Sequence, residues 1–458
     1  MNRTCLKIVS GRPAMAGRKS LHLMALSLAV CAALAVPGFS INANAAMPAA
    51  PAVPITNGTT LTLENCIGIA LQRNPAELAA GSTARAAKSR VGEAQSAYYP
   101  QLNWQTDYSR QSYSAPVGSS GRIGGAFEDI STGPALTQNI YDFGRTSSQV
   151  NIAKYNLVSS RQDFETQTNT IILNVKTSYY GVLQAQKAEA AAEEVVKQNQ
   201  LHLTQAQGFF KAGTKPKIDV TNAQVNLSNA QLSLIQAQNA VMIAWQNLDN
   251  AMGVPDAPQY SIVDNLVFKP YAITFENALA TAYKNRPDLK SIHAKTMSAE
   301  QSLRFARAGY DPYISGSAGY TWSGDLFPME HGWDVGASLT VPIFSGFLTK
   351  KQVHEAQANL DVAKANEENL RQSIYLQARQ AYLNLKQAES SVPTAREGLE
   401  QAKENLALAN GRYAAGVGSQ VDVTDALTSY STAQTAYINA LYNHLTAEAN
   451  LENAMGVR

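Results

Sequence analysis

Cysteine is scarce in this sequence of 458 residues, which contains only three. Two of them, Cys5 and Cys31, lie close to the N-terminus, so Cys66 stands alone in the rest of the chain. A single cysteine cannot form a disulfide within its own chain, and the fold must therefore depend on packing. Cys66 lies on an apolar helix face, which favours a buried thiol.

Charge and long apolar runs are also scarce. Charged residues make up 16% of the chain, against about 25% in typical globular domains. Gln, Asn, Ser and Thr supply the polarity, and a hydrophobic content of 45% argues against a disordered chain. A net charge of +2 gives no indication of nucleic-acid binding. Beyond residue 40 no apolar run is long enough to predict a transmembrane helix.

The sequence lacks the common patterns of catalytic and metal-binding residues. It contains no HExxH motif, paired cysteines or P-loop. Five histidines lie far apart along the chain: His202, His293, His331, His354 and His444. The adjacent pair Glu330 and His331 lies in a predicted exposed loop, and two neighbouring residues rarely form a site alone. We therefore expect no enzyme, no metal site and no cofactor.

The N-terminus has the organisation of a secretory signal peptide. A basic segment is followed by an apolar run at 21–36 and by Ala43-Asn44-Ala45, which predicts a signal peptide over 1–45, cleaved after Ala45. The alternative is a short membrane anchor, although the apolar run is short for a bilayer span. Val30 stands where a lipoprotein signal needs a small residue, so we do not expect Cys31 to be lipidated.

An internal duplication dominates the rest of the chain. A segment rich in Pro and Ala, 46–60, is a flexible lead-in by its composition. The Thr-x-Glu-Asn pattern of 62–65 recurs at 274–277, and Met-Gly-Val occurs at both 252–254 and 455–457. These matches predict two tandem repeats, 61–260 and 261–458, each containing a helix, two strands, a long helix and a further helix.

Each repeat contains segments in which apolar and polar residues alternate, as expected for strands with two different faces. Three alternate clearly, namely 102–109, 314–323 and 333–341. The fourth, 127–141, alternates poorly and is included as the repeat partner of 332–344. Loops are expected at 110–125 and 324–331. The tryptophans of these segments are candidates for a membrane interface, or alternatively for the core of a soluble β-sandwich: Trp104, Trp322 and Trp333.

The helical segments differ in length by a factor of two. Residues 145–212 contain no proline and would form a helix of about 100 Å. The helices predicted at 64–97 and 219–252 are half as long. We therefore expect two short helices stacked end to end against one long helix. Helices of this length must pack side by side as a coiled coil or a tube, although no clear heptad register is evident.

Four strands cannot close a transmembrane barrel, because eight is the smallest usual number. An open sheet edge is not viable in lipid. If the strands span a membrane, several chains must contribute to one barrel, and three chains would provide twelve strands. The alternative is a coiled-coil surface or stalk protein without a pore. A stalk would explain the long helices but not the amphipathic strands between them.

The ordered set of motifs on this duplicated frame, covering about 61–457, resembles the TolC-type outer-membrane efflux proteins. Both repeats carry an Asn and an Arg directly before a Pro in the first helix, as Arg-Asn-Pro at 73–75 and as Asn-Arg-Pro at 285–287. Both have an Ala-Gly-x-x-x-x-x-Asp-Val turn, at 212–220 and 415–423, and end in Ala-Met-Gly-Val.

The resemblance implies a mixed α and β membrane protein. It implies a homotrimer in which each chain gives four strands to a twelve-stranded outer-membrane barrel and its helices to a periplasmic α-helical barrel. Such a trimer is the exit duct of a tripartite efflux pump or a type I secretion system. Its partners are a periplasmic adaptor, an inner-membrane transporter of the RND, ABC or MFS type, and outer-membrane lipid.

The resemblance also assigns roles at the two helical turns. It implies that Asp422 and Asp425 line the pore constriction and that Tyr413 contacts Asp219 as a latch. Gly213 and Gly416 are the matching glycines of the tip turns: the family pattern has an arginine two residues after the second glycine, where this sequence has Gly418. The residues themselves leave open that Asp422 and Asp219 are simply helix N-caps, and that Tyr413 is an ordinary aromatic at a helix end.

Overall fold

A computed structural model describes residues 58–112, 126–325 and 327–458, which belong to one compact unit, Ala52–Arg458. The predicted signal peptide, with Cys5 and Cys31, lies outside the described residues. So does the segment 46–57. Within the described ranges, no helix is both long and apolar enough to cross a bilayer.

The two halves of the chain have the same order of elements. The first half contains β1 (Thr60–Leu61), α1 (Leu63–Arg73), α2 (Pro75–Gln95), β2 (Gln101–Ser112), β3 (Ala126–Tyr141), α3 (Arg145–Lys211) and α4 (Lys217–Met252). The second contains β4 (Ser261–Ile262), α5 (Phe275–Asn285), α6 (Pro287–Arg307), β5 (Tyr313–Gly324), β6 (Glu330–Thr340), α7 (Leu348–Ala414) and α8 (Gln420–Met455). The equivalent helices have equal lengths, and both α3 and α7 contain 67 residues.

The helix predicted at 64–97 is in fact two helices, α1 and α2. Pro75 has no N–H to donate and disfavours a helical residue before it, so the helix ends at Asn74. The Asn74 side chain then accepts a hydrogen bond from Ala76 N at 2.9 Å and caps the next helix. Thr62 caps α1 through Asn65 N, and Thr274 caps α5 in the same way.

The helices pack side by side, as their lengths predicted. Along α3, the first half packs against α2, where Thr168 donates to Glu77, and the second half packs against α4, where Leu203 meets Leu227. Against α7, α6 and α8 are stacked in the same manner. Both of them also contact α3, with Ser291 of α6 hydrogen-bonded to Ser159. The order across the layer is therefore α2 and α4, then α3, then α6 and α8, then α7.

The largest apolar core surrounds the middle of α3. Tyr179 is fully buried there and donates a hydrogen bond to Val263 O at 2.6 Å. Cys66 of α1 lies in the same core with no exposed surface, and burial raises the pKa of its thiol to about 12. The prediction of a buried thiol is confirmed.

The recurring sequence motifs contact each other within each half of the chain. Gly253 ends α4 with φ of 71°, and a Cβ there would lie 2.7 Å from the Asn74 Cα. Asn74 Nδ2 donates to Ala251 O at 2.9 Å. In the second half Gly456 approaches Arg286 in the same way. The Met-Gly-Val segment thus packs against the helix break of its own half.

One antiparallel sheet has the strand order β2-β3-β5-β6. The strands extend beyond the predicted segments, and Glu330 and His331 belong to β6 and not to a loop, which corrects the sequence prediction. The rest of the predicted loop 110–125, residues 113–125, lies outside the described residues. The pairing of β3 with β5 skips Gly133 and Pro134, and its register shifts between Asn139 and Tyr141.

Candidate functional site

Two turns connect the long helices to their partners at one end of the helical layer. Turn A comprises residues 212–216, between α3 and α4, and turn B comprises residues 415–419, between α7 and α8. Gly213 has φ of 74° and Gly416 has φ of 76°, a left-handed conformation that favours glycine. Gly213 N donates to Phe210 O, and Gly416 N donates to Tyr413 O, both at 3.0 Å. Both predicted glycines therefore terminate a long helix.

Asp422 and Asp425 lie at the start of α8, and both are exposed in the single chain. The N-cap of α8 is Ser419, whose hydroxyl accepts from Asp422 N at 3.3 Å, while the Asp422 carboxylate accepts from Ser419 N at 3.2 Å. This arrangement is a capping box. Asp422 therefore takes part in capping, an alternative that the residues left open, but it is the third residue of the helix and not the N-cap itself.

Asp219 occupies the equivalent position in α4, where the N-cap is Pro216. The interpretation of Asp219 as an N-cap is therefore wrong. Asp219 is half-buried near Tyr413. The pKa of the Tyr413 hydroxyl is raised mainly by the burial of Tyr413 and, to a lesser extent, by the negative charge of Asp219.

The helices α3 and α4 form one helical hairpin, and α7 and α8 form a second. Tyr413 is fully buried between these two hairpins. Its ring lies 4.9 Å from the His202 ring and 5.4 Å from the Phe209 ring, measured between centroids. Among the residues that the structure describes, the Tyr413 hydroxyl has no hydrogen-bond partner, so the single chain contains no Tyr413–Asp219 hydrogen bond. A latch between these two residues stays a prediction.

Two further residues connect turn A with turn B. Lys215 Nζ donates to Gly418 O at 3.3 Å and lies 5.7 Å from the centre of the Tyr413 ring. Gln420 Nε2 donates to Asp219 O at 2.7 Å. Sequence reasoning missed both residues. The sequence carries no signal for either contact, because both bonds end on main-chain oxygens.

His202 is a buried histidine beside this contact, and only 4% of its surface is exposed. In the described part of the chain neither ring nitrogen has a hydrogen-bond partner. Burial lowers the pKa of the imidazole, and the charge of Asp219 opposes this effect. His202 is therefore neutral in the packed arrangement.

The register of the sheet places all three predicted tryptophans on one face. Tyr320 pairs with Trp333, and Trp322 pairs with Thr132. The rings of Trp104 and Trp322 stack at 6.0 Å, and Trp104 Nε1 donates to Thr132 Oγ1 at 3.1 Å. Large side chains on this face are exposed: Leu102, Trp104, Tyr108, Trp333, Val335 and Leu339. Their exposure is opposite to what a soluble sandwich core requires.

The other face of the sheet is polar and contains small side chains. It includes Asn103 and Gln105 of β2, Ser315 and Ser317 of β5, and Asp334 of β6. Because neighbouring residues of a strand point to opposite faces, the register separates an apolar surface from a polar one across all four strands.

A second group of aromatic residues, missed by the sequence analysis, lies where the sheet meets the helices. Each of the four junctions carries an exposed pair: Tyr98 and Tyr99, Tyr141 and Phe143, Tyr310 and Tyr313, Phe344 and Phe347. The signal was present in the sequence, because each pair lies beside the proline or glycine that bounds a strand. Such a band is typical of a membrane–water interface.

The outer edges of the helical layer carry exposed apolar side chains at heptad spacing. On α4 the series contains Ile218, Val225 and Leu232, each seven residues after the last, together with Ile235 and Met242. On α7, Val362, Leu376 and Leu383 follow the same spacing. Such a pattern is typical of the seam of a coiled coil, and the sequence analysis had not identified it.

Metal-binding and catalytic arrangements are not evident in the described ranges. They hold no group of three or more His, Cys, Asp or Glu side chains placed to bind a metal. A groove of about 570 Å³ between α7 and α8 is lined by Asn and Gln amides and by alanines, with no titratable side chain.

Comparison with known proteins gives a consistent result. The family model for outer membrane efflux proteins matches residues 66–254 and 278–457. The chain is 26% identical over 396 residues to the outer membrane protein TolC of Escherichia coli K12, covering 81% of this chain and 77% of TolC.

Two solved structures share its fold. The crystal structure of the Campylobacter jejuni CmeC outer membrane channel aligns with a TM-score of 0.77 at 20% identity, covering 89% of this chain and 90% of CmeC. A membrane protein from Pseudomonas aeruginosa aligns with a TM-score of 0.78, also at 20% identity, covering 86% of this chain and 90% of that protein.

Proposed function

The chain belongs to the outer membrane efflux protein family, and we propose that it forms the exit duct of a tripartite efflux pump or a type I secretion system. Membership in the family makes it a channel protein of the outer membrane, with a helical extension into the periplasm, and not an enzyme. Substrate would pass from an inner-membrane transporter of the RND, ABC or MFS type, joined to the duct by a periplasmic adaptor.

The observation that carries this proposal is the amphipathic four-stranded sheet connected directly to the long helices. Its apolar face is exposed, and each of the edge strands β2 and β6 is paired on one side only within the described sheet. A lipid-exposed sheet must close, since unpaired main-chain groups are costly in hydrocarbon. Three copies would close a barrel of twelve strands, with β2 of one copy beside β6 of the next.

The helical layer supports the same assembly. Its outer edges are α4 on one side and α7 on the other, and both carry exposed heptad side chains. A neighbouring copy would bring its α7 against α4 and bury Leu232 and Ile235 in a coiled-coil seam. The helices and the strands thus favour the same heterologous contact between copies, which would close into a ring.

At the end of the helices, Asp422 and Asp425 would form the constriction. They lie three residues apart at the start of α8, so they share one face of the helix. Three copies would place six carboxylates around one axis, which attracts cations. Tyr413 and Asp219 are proposed as the latch of this tip. At the other end, Trp104, Trp322 and Trp333 would lie in the membrane interface.

Planar-bilayer recording of the purified protein tests the proposal. We expect ion conductance that depends on intact β2 and β6, together with a trimeric mass in native mass spectrometry. A stable monomer with its full β content, or a protein that produces no current, would instead support the non-pore stalk.

A further inference from the structure

The contact between turn A and turn B differs from the one that the family pattern implies. Gly418 stands where that pattern has an arginine. A Cβ at this position would lie 2.8 Å from Tyr413 N and 3.0 Å from the Arg412 carbonyl carbon. Both are main-chain atoms that cannot rotate away. Only glycine therefore fits at position 418 of turn B, and any other residue would require the turn to move.

Lys215 supplies the cation from the opposite turn. Its amine donates to the carbonyl oxygen of Gly418 at 3.3 Å, and the amine lies 5.7 Å from the centre of the Tyr413 ring. A lysine amine within about 6 Å of an aromatic face is attracted to the ring. Lys215 thus contacts both the end of α7 and turn B.

Gln420 supplies a second bond in the same contact. It is 6% exposed, and its Nε2 donates to the Asp219 carbonyl oxygen at 2.7 Å. Separation of the two turns would remove the partner of this buried amide, whereas the Asp219 carbonyl oxygen would keep its bond within α4. The Gln420 amide would then need water, so the bond favours the closed contact.

We propose that Lys215 and Gln420 are the positioning residues that hold turn A against turn B and so keep the tip narrow, in place of an arginine at 418. This inference rests on the proposed channel function for its effect on the pore. Both bonds end on main-chain carbonyl oxygens and not on carboxylates. The contact should therefore depend less on salt than an exposed ion pair does.

Single-channel recording in planar bilayers tests the effect on the pore. Lys215→Met and Gln420→Met keep an unbranched side chain but remove the donor. Since a hydrogen bond contributes about 0.5–1.5 kcal/mol, each variant should raise the open-to-closed ratio about two- to tenfold. Asn226→Leu is the matched control, because Asn226 donates to Thr424 between the same two helices, at 3.2 Å and further from the turns.

The proposal is supported if both methionine variants conduct more than the wild type while Asn226→Leu does not. It is overturned if the methionine variants conduct like the wild type, or if the control has the same effect. Melting temperatures of all three variants, measured together, show whether a general loss of stability accounts for any increase.

A distance measurement separates this inference from the proposed function. Spin labels attached at positions 217 and 421, which are exposed at the starts of α4 and α8, report the separation of the two turns. Gln420→Met should lengthen or broaden this distance even if the protein produces no current. An absence of wild-type current would overturn the channel function, whereas an unchanged distance would overturn the roles of Lys215 and Gln420.

Discussion

Buried polar atoms without partners are concentrated where the two helical hairpins meet. His202 has both ring nitrogens unpaired and Tyr413 has its hydroxyl unpaired, within the described residues. The two rings lie 4.9 Å apart, and the charged groups that face them are Asp219 and Lys215. A neutral imidazole is compatible with this packing, whereas a protonated one would be a buried cation with no hydrogen-bond partner.

We expect this contact to weaken in acid because of His202. Burial lowers its pKa below the ordinary value of 6.5. The stability that the neutral ring contributes is therefore present above pH 6.5 and is lost as the pH falls through the lowered pKa. Thermal melts at pH 7.5 and pH 5 should show a smaller difference for His202→Phe than for the wild type.

Acid stabilises the folded protein through other groups, so the pH dependence of the wild type alone does not isolate His202. The pH dependence must therefore be compared between variants. Glu77 and Glu448 have raised pKa values, mainly because of burial, and protonation in acid favours their folded environment. His293, an exposed histidine paired with Glu367, provides a control through His293→Phe. An equal loss of pH dependence in both variants would show that His202 has no special role.

Gly133 should tolerate no side chain. A Cβ there would lie 1.9 Å from the carbonyl oxygen of Tyr320 on the neighbouring strand. Gly133→Ala must therefore push β3 away from β5, at a cost of at least about 3 kcal/mol. We expect strongly reduced amounts of folded protein in the outer membrane, measured by heat-modifiable migration in gels. Gly332→Ala, where a Cβ meets no atom within 4 Å, should leave the amount unchanged.

At the scale of residues, local chemistry made some positions predictable. Gly213 and Gly416 follow helical patterns, and the backbone reversal there favours glycine. Lys215 and Gln420 were not predictable, because their partners are main-chain oxygens about 200 positions away in the sequence. The residues left Asp422 open as the N-cap of α8, because Ser419 and Asp422 both favour that position and only the backbone conformation distinguishes them.

The exposed heptad of α4 is the element whose disruption should most affect assembly. Leu232→Glu would place a charge in the proposed seam between copies, where it has no partner. We expect at least a tenfold weaker association, which corresponds to about 1.4 kcal/mol. Native mass spectrometry in detergent measures the trimer fraction.

The neighbouring position provides the control for this experiment. Ser233 is exposed on α4 but lies outside the heptad series. Ser233→Glu should leave the mass distribution unchanged. A normal trimer fraction in Leu232→Glu would show that α4 does not lie at the interface.

Among the elements, the long helices were the most predictable. The absence of proline through 145–212 and the Gly-Thr-Lys-Pro stop defined α3 to within one residue. The break between α1 and α2 was missed, although Pro75 signals it, because the apolar pattern continues on both sides. The heptad on α4 was hidden because its side chains alternate with those that pack on α3, so one helix carries two apolar stripes.

For the whole molecule, the double variant Asp422→Asn/Asp425→Asn tests the proposed ring of carboxylates. Asparagine keeps an oxygen that can accept from Ser419 N, so the capping box can persist while the charge is lost. Cation selectivity and block by multivalent cations should then both fall, as measured by reversal potentials and single-channel currents. Glu404→Gln, which removes an exposed charge from α7, should change neither.

The fold class of the whole molecule was predictable because two periodicities alternate in a duplicated order. Period-two segments lie between very long helices, and four amphipathic strands do not form a closed barrel. The residues alone left the stalk and the β-sandwich open. In the structure Trp322 pairs with Thr132, and Tyr320 pairs with Trp333. This pairing distinguishes a membrane sheet from the two alternatives, because it places the aromatic side chains together on one exposed face. Register depends on contacts between strands, and a single sequence does not specify it.

The two edges of the sheet, β2 and β6, are different surfaces, and this has a genetic consequence. In the proposed trimer, a copy with a damaged β2 would still present an intact β6, so it would join a ring of copies and prevent its closure. If a cell makes equal amounts of both forms, about one in eight of the three-membered rings would contain only undamaged copies. An allele that damages one edge should therefore be dominant, whereas one that prevents folding altogether should be recessive.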